Sequence, residues 1–340
     1  MTESFLSNFD LQAKNSLAVP SQCRWFKSID EASQLPAAIA FARDQSLPIC
    51  VLGAGTNVVL TEFVDALVLQ IALMGKRVVH QDIRSAIIEV GAGEDWHELV
   101  SWSLNQSFYG LENLALIPGT CGAAPIQNIG AYGVELSEVL DSVEIFDIAE
   151  QRSTRLSASE CQLGYRDSIF KHDLDKRAIV TSIRLRLRLE AKPNLTYPAL
   201  EEYLDRNQIE PTAKNVFDAV CAIRRSKLPD PAAIPNAGSF FKNPMLPFEA
   251  LTDLLIQHPG MPYYELPNNR IKIPAAWLVD QSGFKGWSKN GVGMHDKQAL
   301  VLVNLGKKPG TDILNLAKLV SEKVQSKFGV KLELEPRVLE

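Results

Sequence analysis

Ile117-Pro118-Gly119-Thr120-Cys121-Gly122-Ala123-Ala124-Pro125-Ile126-Gln127-Asn128-Ile129-Gly130-Ala131-Tyr132-Gly133 is the stretch on which the reading of this chain turns. It lies within a longer run, Asn113 to Val134, that carries no charged side chain. Such a run invites a membrane helix, but Pro118, Pro125 and the glycines at 119, 122, 130 and 133 interrupt it too often for one. Residues this small forgo the side chains that build a core. The segment therefore reads as a loop system around something large. A flat cofactor bearing a pyrophosphate fits, with backbone N–H donors for the phosphates and Gln127 and Asn128 as polar contacts. An internal crossing of the chain is the alternative.

Upstream, residues 31 to 46 read as a helix and Pro48 to Leu52 as a buried strand, which empties into Gly53-Ala54-Gly55-Thr56-Asn57. Glycines after a strand permit positive φ and close backbone approach, so that successive N–H groups can face one anion. The motif is not Gly-x-Gly-x-x-Gly, because Val58 stands where the third glycine belongs, and no Lys-Ser/Thr follows as in a P-loop. By itself it is equally a tight turn.

Strands are expected at Ala66 to Ile71 and Ile87 to Val90, and an amphipathic helix over about 94 to 106 from Trp96, Leu99, Val100 and Leu104. Ile183 to Leu189 alternates apolar residues with Arg184, Arg186 and Arg188, a period of two that sets the arginines on one solvated strand face. A polar segment, 190–198, closes this half. The helix-like Ala213 to Ser226 then runs into Leu228-Pro229-Asp230-Pro231, where it must stop. Beyond lie a short helix opened by Pro274 and ended near Gly283, a buried strand Ala299 to Val303, and a final helix capped by Thr311 and closed by Gly329. No internal repeat is found. The class is α+β, with a larger N-terminal part and a smaller C-terminal one.

Length and composition agree: 340 residues, 46% hydrophobic and 22% charged, are ordinary for a folded protein with a substantial core. A net charge of −5 makes a poor general ligand for nucleic acid or anionic lipid. The cysteines (Cys23, Cys50, Cys121, Cys161, Cys221) are scattered and form no Cys-x-x-Cys pair, which suggests neither disulfides nor zinc and fits a reducing compartment. The five histidines have no metal-ligand spacing, so no metal is expected. The opening residues lack a basic start and an apolar core, so no signal peptide is read and a cytoplasmic location is expected.

The two loops, Gly53 to Asn57 and 117–133, resemble the flavin cradle of the UDP-N-acetylenolpyruvoylglucosamine reductase (MurB) family. Three further motifs agree and occur in family order: Gly164-Tyr165-Arg166-Asp167-Ser168, Asn236-Ala237-Gly238-Ser239-Phe240-Phe241-Lys242-Asn243-Pro244, and Leu334-Glu335-Pro336-Arg337. The resemblance spans about 53 to 337. It implies an FAD-binding domain of the vanillyl-alcohol oxidase and p-cresol methylhydroxylase type, as subdomains at 1–70 and 71–212, then a substrate-binding domain at 213–340. It also implies the reaction. NADPH reduces noncovalent FAD, and the enolpyruvyl ether of UDP-N-acetylglucosamine is then reduced in the same site to UDP-N-acetylmuramate, the lactyl sugar of peptidoglycan. The expected partners are these small molecules alone, with no nucleic acid or membrane, and the protein is expected to be a monomer. A flavin oxidase of the same fold acting on a sugar or hydroxy acid is the alternative.

Hydride arriving at carbon 3 of an enol ether leaves charge on carbon 2 and the carboxylate, so an enediolate must be stabilised and a proton delivered. Arg166 offers a planar cation suited to a carboxylate. By resemblance, Glu335 polarises the same carboxylate and Ser239 donates the proton to carbon 2. Without the other motifs, Arg166 could pair with Asp167, Ser239 could cap a turn and Glu335 could be solvated. Glu333, two residues away, competes with Glu335 for its role. The resemblance further implies flavin contacts from Gly53, Ala54, Gly55, Thr56, Asn57, Ile117, Pro118, Gly119, Gly122, Ala123, Ala124, Gln127, Asn128, Gly130, Ala131, Tyr132, Gly133 and Arg224. Substrate contacts are implied for Tyr197, on a mobile tyrosine loop, and for Lys227, Asn243, Lys285 and Gln298. Covalent relatives of the fold tether flavin through His or Cys, and only Cys121 lies suitably here.

Overall fold

The computed structural model of the protein describes residues 5–340. The first four residues of the segment read for a targeting signal lie outside the described residues. Two compact units form, and the chain passes between them repeatedly. One comprises residues up to Phe9, Cys23–Ala54 and Asp65–Ser226, and the other Asp10–Gln22, Gly55–Val64 and Lys227–Glu340. The last passage falls between Ser226 and Lys227, at the end of the helix Ala213–Lys227 rather than ahead of it.

The first unit holds two large sheets and a two-stranded ribbon of Gly130–Ala131 with Val134–Glu135. In one, the strands run in the order Leu6–Asp10, Gln22–Ile29, Phe63–Ile71, Ile49–Leu52, and the last two pair in parallel with Leu52 opposite Gln70. The other is antiparallel, in the order Arg152–Ser157, Leu140–Asp147, Ala178–Arg188, Ser85–Gly91, Lys76–Gln81. The alternation expected for residues 183–189 holds: Ile183, Leu185 and Leu187 are fully buried. On the other face Arg184 reaches Glu89 at 2.6 Å and Arg186 reaches Asp141 at 2.7 Å, so the arginines form a ladder of ion pairs.

The helix Trp96–Asn105 starts where Asp95 accepts the Glu98 N–H at 2.9 Å, an N-cap worth about 1 kcal/mol. Its apolar stripe buries Trp96, Leu99 and Val100, each gaining roughly 2 kcal/mol from removal of apolar surface from water. Trp96 keeps its indole N–H satisfied on the Leu114 carbonyl at 3.0 Å. This bond ties the helix to the segment that leads into the 117–133 loop.

In the second unit, Asn236–Ser239, Val301–Val303, Val292–Met294 and Ser288–Lys289 form one sheet, and Met245–Pro247, Arg270–Lys272 and Tyr264–Leu266 another. The strand Arg337–Leu339 returns to pair in parallel with Val58–Leu60. The final helix, Gly310–Phe328, is N-capped by Pro309, and the cap expected at Thr311 is corrected: its hydroxyl donates to Glu62 at 2.8 Å. Gly310, the first helical residue, lies against the Leu60 carbonyl, 2.0 Å from where a Cβ would stand. Gly329 closes the helix at φ 69°, as expected. Among the described residues, no helix is long and apolar enough to cross a membrane, and no cluster of His, Cys, Asp or Glu could hold a metal ion.

Candidate active site

Within the first unit, the strand Ile49–Leu52 delivers Gly53 against the second loop. A Cβ on Gly53 would stand 2.6 Å from Thr120 Oγ1, so only glycine lets the two loops lie side by side. Gly122 is packed as closely, with Ala92 Cβ 2.5 Å from its missing side chain, and Gly133 meets Thr196 Oγ1 at 2.5 Å. The smallness of these glycines is thus taken up partly by protein, and the internal crossing left open by the sequence is real at these points. What the paired loops present is backbone. The N–H groups of Ala54, Gly119 and Thr120 meet no acceptor among the described residues. Unpaired amides on two apposed loops are the donor set a pyrophosphate needs, so the chain fits an FAD diphosphate here.

Side chains of the loop divide into two groups. Asn128, in the left-handed region at φ 43° and buried, donates to Glu135 Oε2 at 2.7 Å and to the Gly164 carbonyl at 3.1 Å, and accepts from Ser137 N–H at 3.0 Å. Its amide thereby braces the loop. Tyr132, at φ 49°, remains half-buried and packs edge-on against Tyr197, with ring centroids 5.1 Å apart. Burial raises its phenol pKa. Asn113, unnoticed in the sequence, donates through one amide nitrogen to the Tyr132 carbonyl at 2.8 Å and the Asn194 carbonyl at 2.9 Å. It thereby holds the tyrosine segment on the loop. Its position at the head of the charge-free run was the available signal.

Arg166 sits in the left-handed region at φ 52° and donates to the Gly130 carbonyl at 3.0 Å. The pairing with Asp167 that was its bland alternative does not form: Asp167 takes His172 at 2.8 Å. Arg224 donates to the Leu116 carbonyl at 3.1 Å. Burial lowers the Arg224 pKa, and the Arg166 charge lowers it further. Two guanidiniums in mutual electrostatic reach favour an anion beside them. Cys121 is fully buried, and burial drives its thiol pKa far up, which makes it a poor nucleophile for tethering a flavin.

In the second unit the strand Asn236–Ser239 ends at Ser239, opposite Val301. Gly238 takes φ 71°, and nothing lies within 4 Å of the position its Cβ would occupy. The Ser239 hydroxyl is half-buried, and none of the side-chain hydrogen bonds among the described residues involves it. Glu335 N–H donates to the Phe240 carbonyl at 3.0 Å, and Phe241 bridges Leu334, so the backbone that carries Ser239 runs beside the one that carries Glu335. The competing Glu333 faces Lys242 at 3.5 Å with its side chain 72% exposed. Asn57 secures the tail from the other side, through its carbonyl on Arg337 N–H at 3.1 Å and its amide on the Glu335 carbonyl at 3.5 Å.

The expected substrate residues fare unevenly. Asn243 accepts the Ala275 N–H at 2.9 Å, capping the helix Ala275–Gln281. Gln298 takes the Leu300 N–H at 3.5 Å, and Lys285 lies 3.9 Å from Asp280 at the surface. Lys227 ends its helix exposed, whereas Arg224, one turn earlier, is held inside.

Two α+β units, with a loop pair suited to a dinucleotide, define an FAD-binding oxidoreductase fold, and residues 28–156 match the family described as FAD binding domain. Residues 230–339 match the UDP-N-acetylenolpyruvoylglucosamine reductase C-terminal domain. The chain is 44% identical to the UDP-N-acetylenolpyruvoylglucosamine reductase of Chromobacterium violaceum, with all of both chains covered. It is 46% identical to that of Bordetella pertussis over 97% of this chain and 94% of the other. The chain belongs to the UDP-N-acetylenolpyruvoylglucosamine reductase family. Among solved structures, the reductase of Thermus caldophilus matches in fold with a TM-score of 0.67 at 24% identity, covering 99% of this chain and 98% of that one. The 6-hydroxy-D-nicotine oxidase of Arthrobacter nicotinovorans shares the fold with a TM-score of 0.52 at 13% identity, over 97% and 87% of the two chains.

Proposed function

We propose that the protein reduces UDP-N-acetylenolpyruvoylglucosamine to UDP-N-acetylmuramate at the expense of NADPH, through noncovalently held FAD. The observation that carries the chemical part of this reading is the backbone pairing, within one unit, of Glu335 with Phe240, the residue after Ser239. Family membership over the full chain supports the substrate.

FAD, when bound, supplies the hydride carrier between nicotinamide and enol ether. The amides of Ala54, Gly119 and Thr120 would hold its diphosphate. The protein must then handle charge and a proton. Ser239, with nothing else to donate to, gives its hydroxyl proton to carbon 2 of the substrate. Glu335 hydrogen-bonds the substrate carboxylate as negative charge accumulates. Arg166 supplies a planar cation suited to a carboxylate. Groups fixed in this way need not reorganise as the charge develops, which is where most of such stabilisation originates.

The test is a visible-absorbance titration. Oxidised protein should bleach on NADPH and recover its yellow colour on addition of the enolpyruvyl nucleotide under anaerobic conditions. Bleaching without anaerobic recovery, but with recovery in oxygen, would replace the proposal with an oxidase.

A further inference from the structure

Leu116 opens the 117–133 loop in the left-handed region, at φ 57°. A branched side chain pays about 1–2 kcal/mol to stand there and needs outside support. The support comes from two helices, one for each side of the residue's peptide. His97, on the helix Trp96–Asn105, accepts the Leu116 N–H at Nδ1, 3.0 Å away. Arg224, on the helix Ala213–Lys227, donates Nε–H to the Leu116 carbonyl at 3.1 Å. His97 is itself fixed by stacking on Phe217 of that second helix, with centroids 5.4 Å apart and planes within 7°. Lys214 lies over the Phe217 ring at 5.3 Å.

We infer that His97 is a positioning residue for the flavin loop: its neutral imidazole, together with Arg224, holds Leu116 in the conformation that aims Gly119 and Thr120 at the cofactor, and protonation releases the loop. The flavin half of this inference rests on the assignment of the loop to FAD. The acceptor at Nδ1 requires the tautomer protonated at Nε2. A proton on Nδ1 would turn the acceptor into a donor facing another donor, and Leu116 would lose the bond that offsets its backbone cost.

The charges around the ring are known from both helices. Asp95 and Glu98 of its own helix favour the proton, while Arg224 and Arg225 of the facing helix oppose it. Burial is the largest influence, and the His97 pKa is lowered overall. A histidine whose folded pKa is depressed binds its proton more readily when released. Its hold is therefore intact above the ordinary histidine range and is lost as pH falls below that range, toward the depressed value.

The experiment follows two signals in the FAD-loaded protein between pH 7.5 and pH 5: exchange of the Leu116 amide with deuterium, divided at each pH by the intrinsic rate of an unprotected amide, and release of FAD, read as the return of free flavin fluorescence. In the wild type both should accelerate as pH falls. His97→Phe keeps the stack on Phe217 but removes the acceptor, so both should be about tenfold faster at pH 7.5, as expected for one lost hydrogen bond, with little further response to pH. His97→Gln restores an acceptor that does not titrate, and should be slow and flat with pH. Wild-type rates in His97→Phe at pH 7.5, or an undiminished pH response in His97→Gln, would overturn the inference. Should the Phe variant fail to fold, the Gln variant and the wild-type pH response carry the test. A Leu116 amide that responds as described while flavin release does not would uphold the hold on Leu116 and sink the link to FAD.

Discussion

Glu335 donates its backbone N–H to the carbonyl of Phe240, the residue after Ser239, at 3.0 Å. That bond sets two segments from distant parts of the chain side by side, one carrying Ser239 and the other Glu335. Glu333 lies alongside Lys242 instead, its carbonyl accepting the Lys242 N–H at 2.9 Å.

Ser239→Ala should leave the NADPH half-reaction within about twofold of wild type and slow reoxidation by the enolpyruvyl nucleotide by roughly 10²–10⁴, the usual range for a lost proton donor. Stopped-flow absorbance of the two halves checks this. Equal losses in both would remove Ser239 from proton delivery.

Glu335→Gln and Glu333→Gln should diverge. The first should cost on the order of 10²-fold in nucleotide-dependent turnover. The second, at a side chain 72% exposed and paired with Lys242 across solvent, should stay within about twofold. Steady-state kinetics of the pair decides whether the carboxylate was assigned correctly.

Gly55→Ala should destabilise the protein more than Gly53→Ala. At Gly55 a Cβ meets the Lys14 carbonyl at 2.1 Å and the backbone sits at φ 65°, so clash and strain add to several kcal/mol. At Gly53 the obstacle is the Thr120 hydroxyl, and Gly53→Ala combined with Thr120→Ala should recover most of the loss. Thermal melts and flavin content of the single and double variants report both effects.

Asn113→Ala should free the tyrosine segment. Two donors to the Tyr132 and Asn194 carbonyls disappear together. Deuterium exchange over 193–198 should rise, and KM for the sugar nucleotide should increase about tenfold with the NADPH half-reaction little changed. Unaltered exchange in that segment would show that Asn113 does not hold it.

Local patterns announced their elements directly, because burial periodicity is written in neighbouring residues. The alternating arginines at 184, 186 and 188 and the stripe of Trp96, Leu99 and Val100 both fold as their spacing predicts. The dense small residues of 117–133 marked the close approach of that loop to its neighbours in the same way. Thr311 misled as a cap, since its hydroxyl is taken by Glu62, far away in sequence. The hydrogen bonds of Asn128 to Glu135, Gly164 and Ser137 were not legible for a similar reason: these partners meet it only once the loop has folded back.

From sequence alone came the family, the order of motifs, the class of fold and the candidate residues, all of them carried by residue identity and short spacing. Tertiary structure alone decided that Glu335 pairs with Phe240 while Glu333 pairs with Lys242, that Asn128 bonds Glu135, Gly164 and Ser137, that Asn113 and His97 bond the backbone of the loops, and that the chain passes between its units after Phe9, Gln22, Ala54, Val64 and Ser226. The physical reason is common to these cases. A hydrogen bond or ion pair depends on distance and direction in space, and two polar residues far apart in a chain acquire both only when the backbone between them has been laid down.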